Sequence, residues 1–515
     1  MFNVKDERIH SMKNFKTLFG MMFVALMAAS CTNDVNDVLA PEAPQKGYPF
    51  VATIAPKSFD ATTRTALVED TENGTISSTW EVGDKIIIWY ASESDFPEVE
   101  AEVKKVASDG SATITATFET LPLETDDNAT LIYSTCGSVD NYGIDLNGKL
   151  NADLDLRMAN VTLKVVDGVV TLDGDVSLDA YGSILRISMT DLDNKAVGLK
   201  KLVVSSKDFY FEGADYSFTV TPDPGESPNV IYVAIPGDKK EHTFWFEAVD
   251  SNDKPYIAKA TGTFAPGMFY QTTLKMATLG DLMNSDGTFS ATAEEGKTPV
   301  GVIAYLGNDA TVESAEVGGG HGLVMALKNA ANKVVWSTDT ENWQFSTSAK
   351  VQDLDALFRT TDVSGYTNTK TLVEKEEAEN VFPAAYKAKN YTPTAPTSTT
   401  GWFLPSMQQW VKMMTGLGGL SNEDITFTSP DFSWFDNNHT AADKWEAALE
   451  KAGNGNYDSM KSYQYYWSSS EYSDLSAVPV GVDASGTGTE YGFCVYVQFK
   501  DYESSYFFVR PVLAF

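Results

Sequence analysis

Lys85-Ile-Ile-Ile-Trp-Tyr90 and Ala112-Thr-Ile-Thr-Ala-Thr-Phe118 are the clearest of a series of short segments rich in β-branched and aromatic residues. The others are Val161–Val166, Ile184–Met189, Leu202–Ser205, Val230–Ile235, Thr243–Ala248 and Tyr270–Lys275. Turn dipeptides such as Asp109-Gly110 and Pro236-Gly237 separate them. Tight turns join antiparallel strands, whereas parallel strands need long crossovers. The pattern therefore predicts a mostly β chain with two antiparallel β-sandwiches, over residues 48–168 and 169–278.

The region from residue 279 to residue 515 has a different pattern, in which helical periodicity appears. Ser406 and Gln409 form a capping box, and the residues after it place Trp410, Met413, Met414 and Leu417 on one helical face. A second helix is predicted over Ala441–Lys451, with Trp445, Ala448 and Leu449 facing inward. A third is predicted over Lys375–Tyr386, which Pro383 interrupts. We therefore expect an α+β domain here.

Length and charge limit the classes of function. The chain has 515 residues, too many for one ordinary domain, and its 43% hydrophobic and 21% charged residues are those of a folded soluble protein. Its net charge is −33, which repels phosphate backbones. We therefore expect no nucleic-acid partner.

The N-terminal residues resemble a bacterial lipoprotein signal. Lys13 and Lys16 precede an apolar run from Leu18 to Ala29, and the small residues that follow lead to Cys31. In such signals residues 1–30 are removed and the cysteine is acylated, so Cys31 is the expected lipidation site. The alternative is a plain secretory peptide that is cut elsewhere. Residues 31–47 have the composition of a flexible tether. This implies an outer-membrane lipoprotein precursor that is exported to the cell surface.

Several motifs between residues 50 and 276 resemble those of fimbrillin-like pilins, the lipoprotein-derived pilus subunits of anaerobic gut and oral bacteria. They are Thr62-Thr-Arg-Thr-Ala-Leu67, Trp80-Glu-Val-Gly-Asp-Lys-Ile-Ile-Ile88, Ser183-Ile-Leu-Arg-Ile-Ser188 and Pro266-Gly-Met-Phe-Tyr-Gln-Thr-Thr-Leu274. The resemblance implies two sandwiches of the transthyretin or immunoglobulin type. It also implies proteolysis after an arginine that removes the first strand, followed by strand addition from another pilin subunit. Arg64 is placed for that cut, after a candidate first strand over Pro49–Ala55.

Five blocks in the last region are similar to C-type-lectin-like domains at the ends of bacterial surface proteins. They are Gly280-Asp-Leu-Met-Asn-Ser-Asp-Gly287, Gly320-His-Gly-Leu323, Gly401-Trp-Phe-Leu-Pro-Ser406, Tyr466-Trp-Ser-Ser469 and Val509-Arg-Pro-Val-Leu-Ala-Phe515. No Glu-Pro-Asn, Gln-Pro-Asp or Trp-Asn-Asp triplet is present, so calcium-mediated sugar binding is not indicated. We expect residues 279–515 to fold and bind alone.

Catalytic motifs are not found in the sequence. Beyond the signal, the histidines are His242, His321 and His439, and no nucleophile elbow, His-Glu-x-x-His helix or phosphate loop surrounds them. The glycines beside His321 favour a structural turn. A carboxylate pair is left open, because acidic residues are abundant. We therefore expect no enzyme activity, no cofactor and no metal site.

The best ligand-binding candidates lie in Asp431-Phe-Ser-Trp-Phe-Asp-Asn-Asn-His439, read as a loop. Aromatic rings beside hydrogen-bonding groups suit a carbohydrate or protein ligand. The candidate residues are Trp434, Asp436, Asn437, His439 and Tyr472. In the alternative interpretation Phe432, Trp434 and Phe435 fill the core. Cys136 and Cys494 are expected to be buried thiols rather than a disulfide.

Together these observations predict a pilus tip subunit and adhesin, assembled by proteolysis-dependent strand exchange. Its partners would be other pilin subunits and a surface glycan or protein of a host or another bacterium. The tip position is expected because the C-terminal strand belongs to the lectin-like domain and cannot be donated. The alternative is a surface lipoprotein that binds glycan or peptide without polymerising.

Overall fold

The computed structural model describes most of the chain from residue 47 onward. The described residues are 47–57, 68–70, 75–133, 147–150, 154–211, 214–311, 320–339, 363–421, 423–425, 429, 431–435, 439–460, 464–482, 492–503 and 507–515. Among these described residues strands dominate, and the helices lie after residue 363. The mostly β prediction is confirmed. No helix among the described residues is long and apolar enough to cross a membrane.

The first part of the chain forms a nine-stranded sheet and a separate two-stranded hairpin. The strands are β1 (Tyr48–Ile54), β2 (Val68–Asp70), β3 (Thr75–Ser77), β4 (Lys85–Tyr90), β5 (Glu98–Val106), β6 (Ala112–Phe118), β7 (Ala129–Tyr133), β8 (Arg157–Val161), β9 (Leu163–Val166), β10 (Val169–Leu172) and β11 (Asp179–Ala180). The order in the large sheet is β11-β8-β7-β4-β5-β6-β1-β10-β9, and β2 pairs with β3.

The core of this sheet follows from alternation along its strands. In β4 Ile86, Ile88 and Tyr90 are buried while Lys85 is exposed, so one face of the strand is apolar. The same face receives Phe118 of β6, whose ring centroid lies 4.7 Å from that of Tyr90. Burial of this face supplies most of the stabilisation of the sheet.

The first sheet continues past residue 168, where the sequence pattern placed a boundary. Residues Val169–Leu172 form β10, which is hydrogen-bonded in register to β9 as a hairpin. The sheet ends with β11, which pairs with β8. The boundary between the first sheet and the second sandwich therefore lies near residue 181. It does not lie at residue 168, because the polar Asp167-Gly168 turn closes the β9–β10 hairpin within the first sheet.

The second sandwich has seven strands in the order β14-β13-β16-β17-β18-β12-β15. They are β12 (Gly182–Asp191), β13 (Leu199–Phe211), β14 (Ala214–Val220), β15 (Val230–Pro236), β16 (Glu241–Asp250), β17 (Pro255–Thr263) and β18 (Phe269–Thr278). β18 pairs with β12 from Phe269 to Met276 and with β17 only at its end, so it joins the two layers of the sandwich.

The expectation of wholly antiparallel sandwiches needs one correction. β12 and β18 are parallel, and so are β1 and β10. A parallel pair needs a long connection. In both cases the paired strands are far apart in the sequence, and other strands of the same domain form the connection.

The C-terminal region is α+β, as predicted. Its strands are β19 (Leu282–Asn284), β20 (Phe289–Ser290), β21 (Pro299–Leu306), β22 (Gly322–Ala326), β23 (Ala331–Asn332), β24 (Phe432–Phe435), β25 (Gln464–Glu471), β26 (Ser476–Val482), β27 (Phe493–Tyr496), β28 (Gln498–Phe499), β29 (Phe507–Val509) and β30 (Val512–Ala514). Its helices are α1 (Gly365–Val373), α2 (Ala378–Val381), α3 (Pro383–Lys389), α4 (Met407–Thr415) and α5 (Thr440–Glu450). The strands form a sheet ordered β20-β19-β21-β22-β30 and another ordered β23-β29-β25-β26-β27-β24, in which β28 pairs with β26.

The helix predictions for this region are confirmed in their main features. Ser406 accepts a hydrogen bond from the Gln409 amide, the Gln409 side chain accepts one from the Ser406 amide, and α4 follows. In α5 Trp445, Ala448 and Leu449 are buried. Pro383 divides the third predicted helix, since α2 ends before it and α3 begins with it.

Residues of the motifs quoted for this region pair with its last two strands, β29 and β30. β22 pairs with β30, and the Phe403 amide donates to the Val512 carbonyl over 2.9 Å. Tyr466 of β25 lies opposite Phe508 of β29 in a parallel pair. The segment Phe507–Phe515 is therefore an internal part of the region, as predicted, although Arg510 and Pro511 interrupt it.

The second sandwich and the C-terminal region share an apolar core. Trp245 and Ile257 of the sandwich pack in one buried cluster with Ile303 and Phe515. His321 extends this contact, because its ring lies 4.2 Å from the Trp245 ring and its Nδ1 contacts the Glu247 carboxylate. A cut at residue 279 would expose this shared surface to water.

The sequence pattern predicts that residues 279–515 fold alone, but the shared core argues against it. We therefore predict that residues 182–515 form a stable, monomeric fragment and that residues 279–515 do not. The shorter fragment would expose Ile303 and Phe515 in the apolar cluster, and each large side chain transferred to water costs about 1.5–3 kcal/mol. Size-exclusion chromatography and thermal unfolding of the two fragments provide the comparison. Equal unfolding temperatures and equal monomer yields would show that the shared core is unimportant.

Candidate assembly groove and ligand surface

β1 lies inside the first sheet rather than at its edge. It pairs with β6 in antiparallel register along its full length, from Tyr48 opposite Phe118 to Ile54 opposite Ala112. On its other side it pairs in parallel with β10, where Phe50 lies opposite Val170. β1 is thus the strand that connects the β9–β10 hairpin to the rest of the sheet.

The side chains of β1 alternate between core and solvent. Phe50, Ala52 and Ile54 are buried, whereas Val51 is 50% exposed. The Phe50 ring lies 5.5 Å from the Phe118 ring. These three inward side chains occupy an apolar groove between β6 and β10, which we call the β1 groove.

Immediately after β1, a lysine side chain enters the protein. The Lys57 side chain is only 2% exposed, and its Nζ lies 3.2 Å from an Asp84 carboxylate oxygen and 3.9 Å from one of Asp155. The same ammonium lies 3.6 Å from the ring centroid of Tyr133 and 4.3 Å from that of Trp80. Two carboxylates and two aromatic faces therefore surround it, and we call this set the Lys57 cage.

Further contacts fix the walls of the Lys57 cage. Arg157 donates to the Asp155 carboxylate over 2.8 Å, and Ser78 donates to the same carboxylate over 2.6 Å. The Trp80 indole donates to the Ala55 carbonyl over 2.8 Å, which ties the cage to the end of β1. The cage is built from four separate parts of the chain.

The charges in the cage balance only while the lysine is present. Asp84 and Asp155 face Lys57 and Arg157, which gives two charges of each sign. Burial lowers the pKa of Lys57, and the two carboxylates oppose that shift. Burial also raises the pKa of Tyr133, so the phenol stays neutral. Removal of Lys57 would leave one negative charge without compensation in a poorly solvated site.

The predicted modification sites lie outside the described residues. These are Cys31 and Arg64. The expected thiol Cys136 and the ligand-binding candidates Asp436 and Asn437 also lie outside them. Lipidation and proteolysis at the first two therefore remain predictions. Cys494 is a buried thiol in β27, in agreement with the expectation for that residue.

The segment read as a ligand-binding loop begins as a strand. β24 pairs with β27, and the Trp434 backbone lies opposite Cys494. The loop assignment was wrong for Phe432–Phe435, because the backbone of all four residues pairs with β27 and extends the sheet. Phe435 is buried in the main core of the C-terminal region, as the alternative interpretation holds.

The structure brings together one polar pair on this surface. The Tyr472 hydroxyl donates to the Asp431 carboxylate over 2.8 Å, in an exposed position between β25 and the start of β24. Tyr472 also packs its ring against the core. His439 is half-buried and has a left-handed backbone, with φ of 59°, directly before α5. Its carbonyl accepts a hydrogen bond from the Asp443 amide, which gives the His439 backbone a structural role.

The other histidines are also structural. His242 contacts Asp238 through Nε2 over 2.9 Å and lies against Phe209. His321 lies in the shared core described above. No group of three or more His, Cys, Asp or Glu side chains in the described part of the chain is arranged to hold a metal ion.

Sequence reasoning missed the Lys57 cage, although two of its residues were in view. Trp80 and Asp84 belong to a quoted motif, but nothing in the sequence pattern connects Lys57 with them. The available signal was a lysine three residues after the last inward position of an alternating strand. Asp155 and Tyr133 could not be assigned to the same place without the fold.

The comparisons with known proteins give distant structural likenesses. No family profile matches the chain, and no curated protein matches it. A fimbrial protein from Bacteroides ovatus is 15% identical with a TM-score of 0.33, and the match covers 92% of this chain and 100% of that one. A fimbrial assembly protein from Parabacteroides distasonis is 13% identical with a TM-score of 0.23, over 44% of this chain and 90% of that one. A shaft pilin from Lactobacillus rhamnosus is 11% identical with a TM-score of 0.19, over 45% and 98%.

Proposed function

We propose that this chain is a cell-surface pilus subunit and adhesin whose first strand is replaced by a strand from another subunit. It would be made as an outer-membrane lipoprotein anchored through Cys31. Proteolysis after Arg64 would release the segment that contains β1. The C-terminal region would then carry ligand binding, and the proposal includes no enzymatic step.

The observation that supports this proposal best is the position of β1. Its departure would expose backbone donors and acceptors on both β6 and β10, together with the apolar positions filled by Phe50 and Ile54. An opened groove of this kind is completed by an extended segment with alternating apolar residues. The departure of a strand from a sheet edge would expose one row of backbone donors and acceptors instead of two.

Burial of Lys57 favours Arg64 as the processing site. A protease must bind a basic side chain in its own pocket, and the Lys57 ammonium is enclosed between Tyr133 and Asp84. Arg64 follows in the polar stretch Asp60–Ala66. Lys57, which lies closer to β1 than Arg64 does, is therefore protected from the protease in the folded precursor.

We predict that Arg64→Ala abolishes incorporation into fibres while the precursor stays folded. The substitution leaves β1 and its pairing intact, and removes only the side chain that the protease would recognise. The measurement is immunoblotting of sheared surface fibres alongside circular dichroism of the purified precursor. Thr63→Ala, one residue away, is the matched control and should be incorporated normally. Fibres that contain the Arg64→Ala protein at the usual level would contradict the processing step.

The tip position is a further part of the proposal. The segment Val512–Ala514 is hydrogen-bonded to β22 inside its own region, and Phe515 is 1% exposed. This segment is therefore not free to enter the groove of a neighbour. A subunit that accepts a strand at the β1 groove and keeps this one would lie at the end of a fibre.

Ligand binding is proposed for the surface around Tyr472 and Asp431. Tyr472→Phe removes the hydroxyl from an exposed pair, so the unfolding temperature should change little. If this pair contacts the ligand, capture on glycan and matrix-protein arrays should fall about tenfold, the loss expected for one hydrogen bond that involves a charged group. Tyr502→Phe changes another exposed tyrosine and is the control. Unchanged capture by the Tyr472→Phe protein would exclude this surface.

The alternative function is a surface lipoprotein that binds glycan or peptide and never polymerises. In that case β1 is a permanent strand and Arg64 is an arginine of a turn, with no role in processing. The Arg64→Ala experiment distinguishes the two functions, because the alternative predicts no fibres with either protein.

A further inference from the structure

We infer that the Lys57 cage is a recognition site for a lysine or arginine side chain of the incoming donor strand. This inference rests on the proposed strand exchange and adds to it a chemical requirement on the partner. The donor would carry apolar residues in place of Phe50, Ala52 and Ile54, followed three residues later by a cation. The site would thereby select among donor segments.

The β1 groove and the Lys57 cage are filled by the same segment of the chain. Lys57 lies between β1 and Arg64 in the sequence, so a cut after Arg64 removes the lysine together with the strand. Trp80, Asp84, Tyr133 and Asp155 all remain in the processed chain. Processing would therefore empty the apolar groove and the cage at once.

The emptied cage has one more negative charge than positive charge. With Lys57 gone, Arg157 still pairs with Asp155, whereas Asp84, whose side chain is only 16% exposed, has no counter-ion among the described residues. A buried charge that has lost its partner is strongly destabilising. A donor strand that restores a cation would remove this penalty, whereas an apolar residue at the same place would not.

The shape of the cage suits a cation, because two aromatic rings line it. The Lys57 ammonium lies over the Tyr133 ring at 3.6 Å and near the Trp80 ring at 4.3 Å. Aromatic faces attract cations, and they bind guanidinium as well as ammonium groups. Asp84 is held in place by the Glu81 amide, which donates to its carboxylate over 3.0 Å. The site is thus built before the donor arrives, and either basic side chain suits it.

The spacing gives the expected donor sequence. Phe50, Ala52 and Ile54 point inward at intervals of two residues, and Lys57 follows the last by three. The Trp80 indole bonds to the Ala55 carbonyl, which fixes the path of the backbone into the cage. A matching segment reads apolar, any, small apolar, any, apolar, any, any, Lys or Arg.

The test uses the full chain after protease treatment and a fluorescent peptide that copies Tyr48–Lys57, amidated at its C-terminus so that no carboxylate enters the cage. Peptides with Met, Arg or Glu in place of the lysine are compared by size-exclusion capture and by competition. We expect the Met peptide to bind at least about tenfold more weakly than the Lys peptide, the Glu peptide to bind weakest, and the Arg peptide to resemble Lys. These changes lie in the peptide, so the receiving protein is the same for all four peptides.

A second arm changes the receiving protein. Asp84→Asn should reduce the preference for the Lys peptide over the Met peptide, since it removes the carboxylate nearest the ammonium. Equal capture of the Lys and Met peptides by the unaltered protein would overturn the recognition site while leaving strand exchange intact. Capture of none of the peptides by the processed chain would instead overturn the strand-accepting groove itself.

Discussion

Arg157→Met will lower the free energy of unfolding of the first sheet by about 3 kcal/mol, because Lys57 alone then faces Asp84 and Asp155 and one negative charge loses its counter-ion. The Arg157 side chain is 1% exposed, and it donates to Asp155, which is equally buried. Methionine fills much of the same volume, so the loss reports on charge more than on packing. Hydrogen exchange should become faster in residues 85–133 while residues 464–482 stay unaffected.

An exposed ion pair in the same sheet provides the control for this prediction. Lys85 and Glu100 lie 2.9 Å apart, and their side chains are 61% and 55% exposed. Lys85→Met should change the stability by less than about 1 kcal/mol, since solvent screens this pair. Equal effects of the two substitutions would show that the charges of the Lys57 cage do not stabilise the sheet.

Trp410→Ala will destabilise the C-terminal region by about 4 kcal/mol, because replacing a buried tryptophan with alanine leaves a large cavity in the core. Trp410 is fully buried on α4, and its ring stacks on that of Trp445 at 6.0 Å. Chemical denaturation, followed by hydrogen exchange in residues 407–415 and 440–450, measures the loss.

Trp410→Phe is the matched variant. Within the described part of the chain, the Trp410 indole nitrogen has no hydrogen-bond partner, so phenylalanine leaves no polar group behind. We expect a cost of about 1–2 kcal/mol from lost volume alone. If the phenylalanine variant were as unstable as the alanine variant, an unseen polar contact would have to be responsible.

The features that the sequence predicts well are those set by neighbouring residues. The capping box of Ser406 and Gln409 places the start of α4 correctly, since its hydrogen bonds span only three residues. The bounds of β4 and β6 match the quoted segments, because alternation within each strand identifies them. Val161–Val166 was read as one strand but forms parts of two, because the chain changes partner from β7 to β10 at Thr162.

The features that the sequence predicts poorly depend on pairing between strands that are far apart in the chain. β5 was missed because glutamates and lysines occupy its solvent face, although Ala101 and Val103 are buried. The first strand was placed correctly, but its position between β6 and β10 depends on segments that follow it by more than 50 residues. The Lys57 cage is assembled in the same way, so a lysine that looks like an ordinary surface residue in the sequence is enclosed in the fold.

The central claim is that β1 leaves the chain and a strand from another subunit takes its place. Mass spectrometry of this protein recovered from native surface fibres tests it most directly. We predict an N-terminus at Thr65, no peptide from residues 48–57, and cross-links from β6 to a segment of a different subunit. Recovery of residues 48–57 still joined to the fibre-incorporated chain would contradict the account.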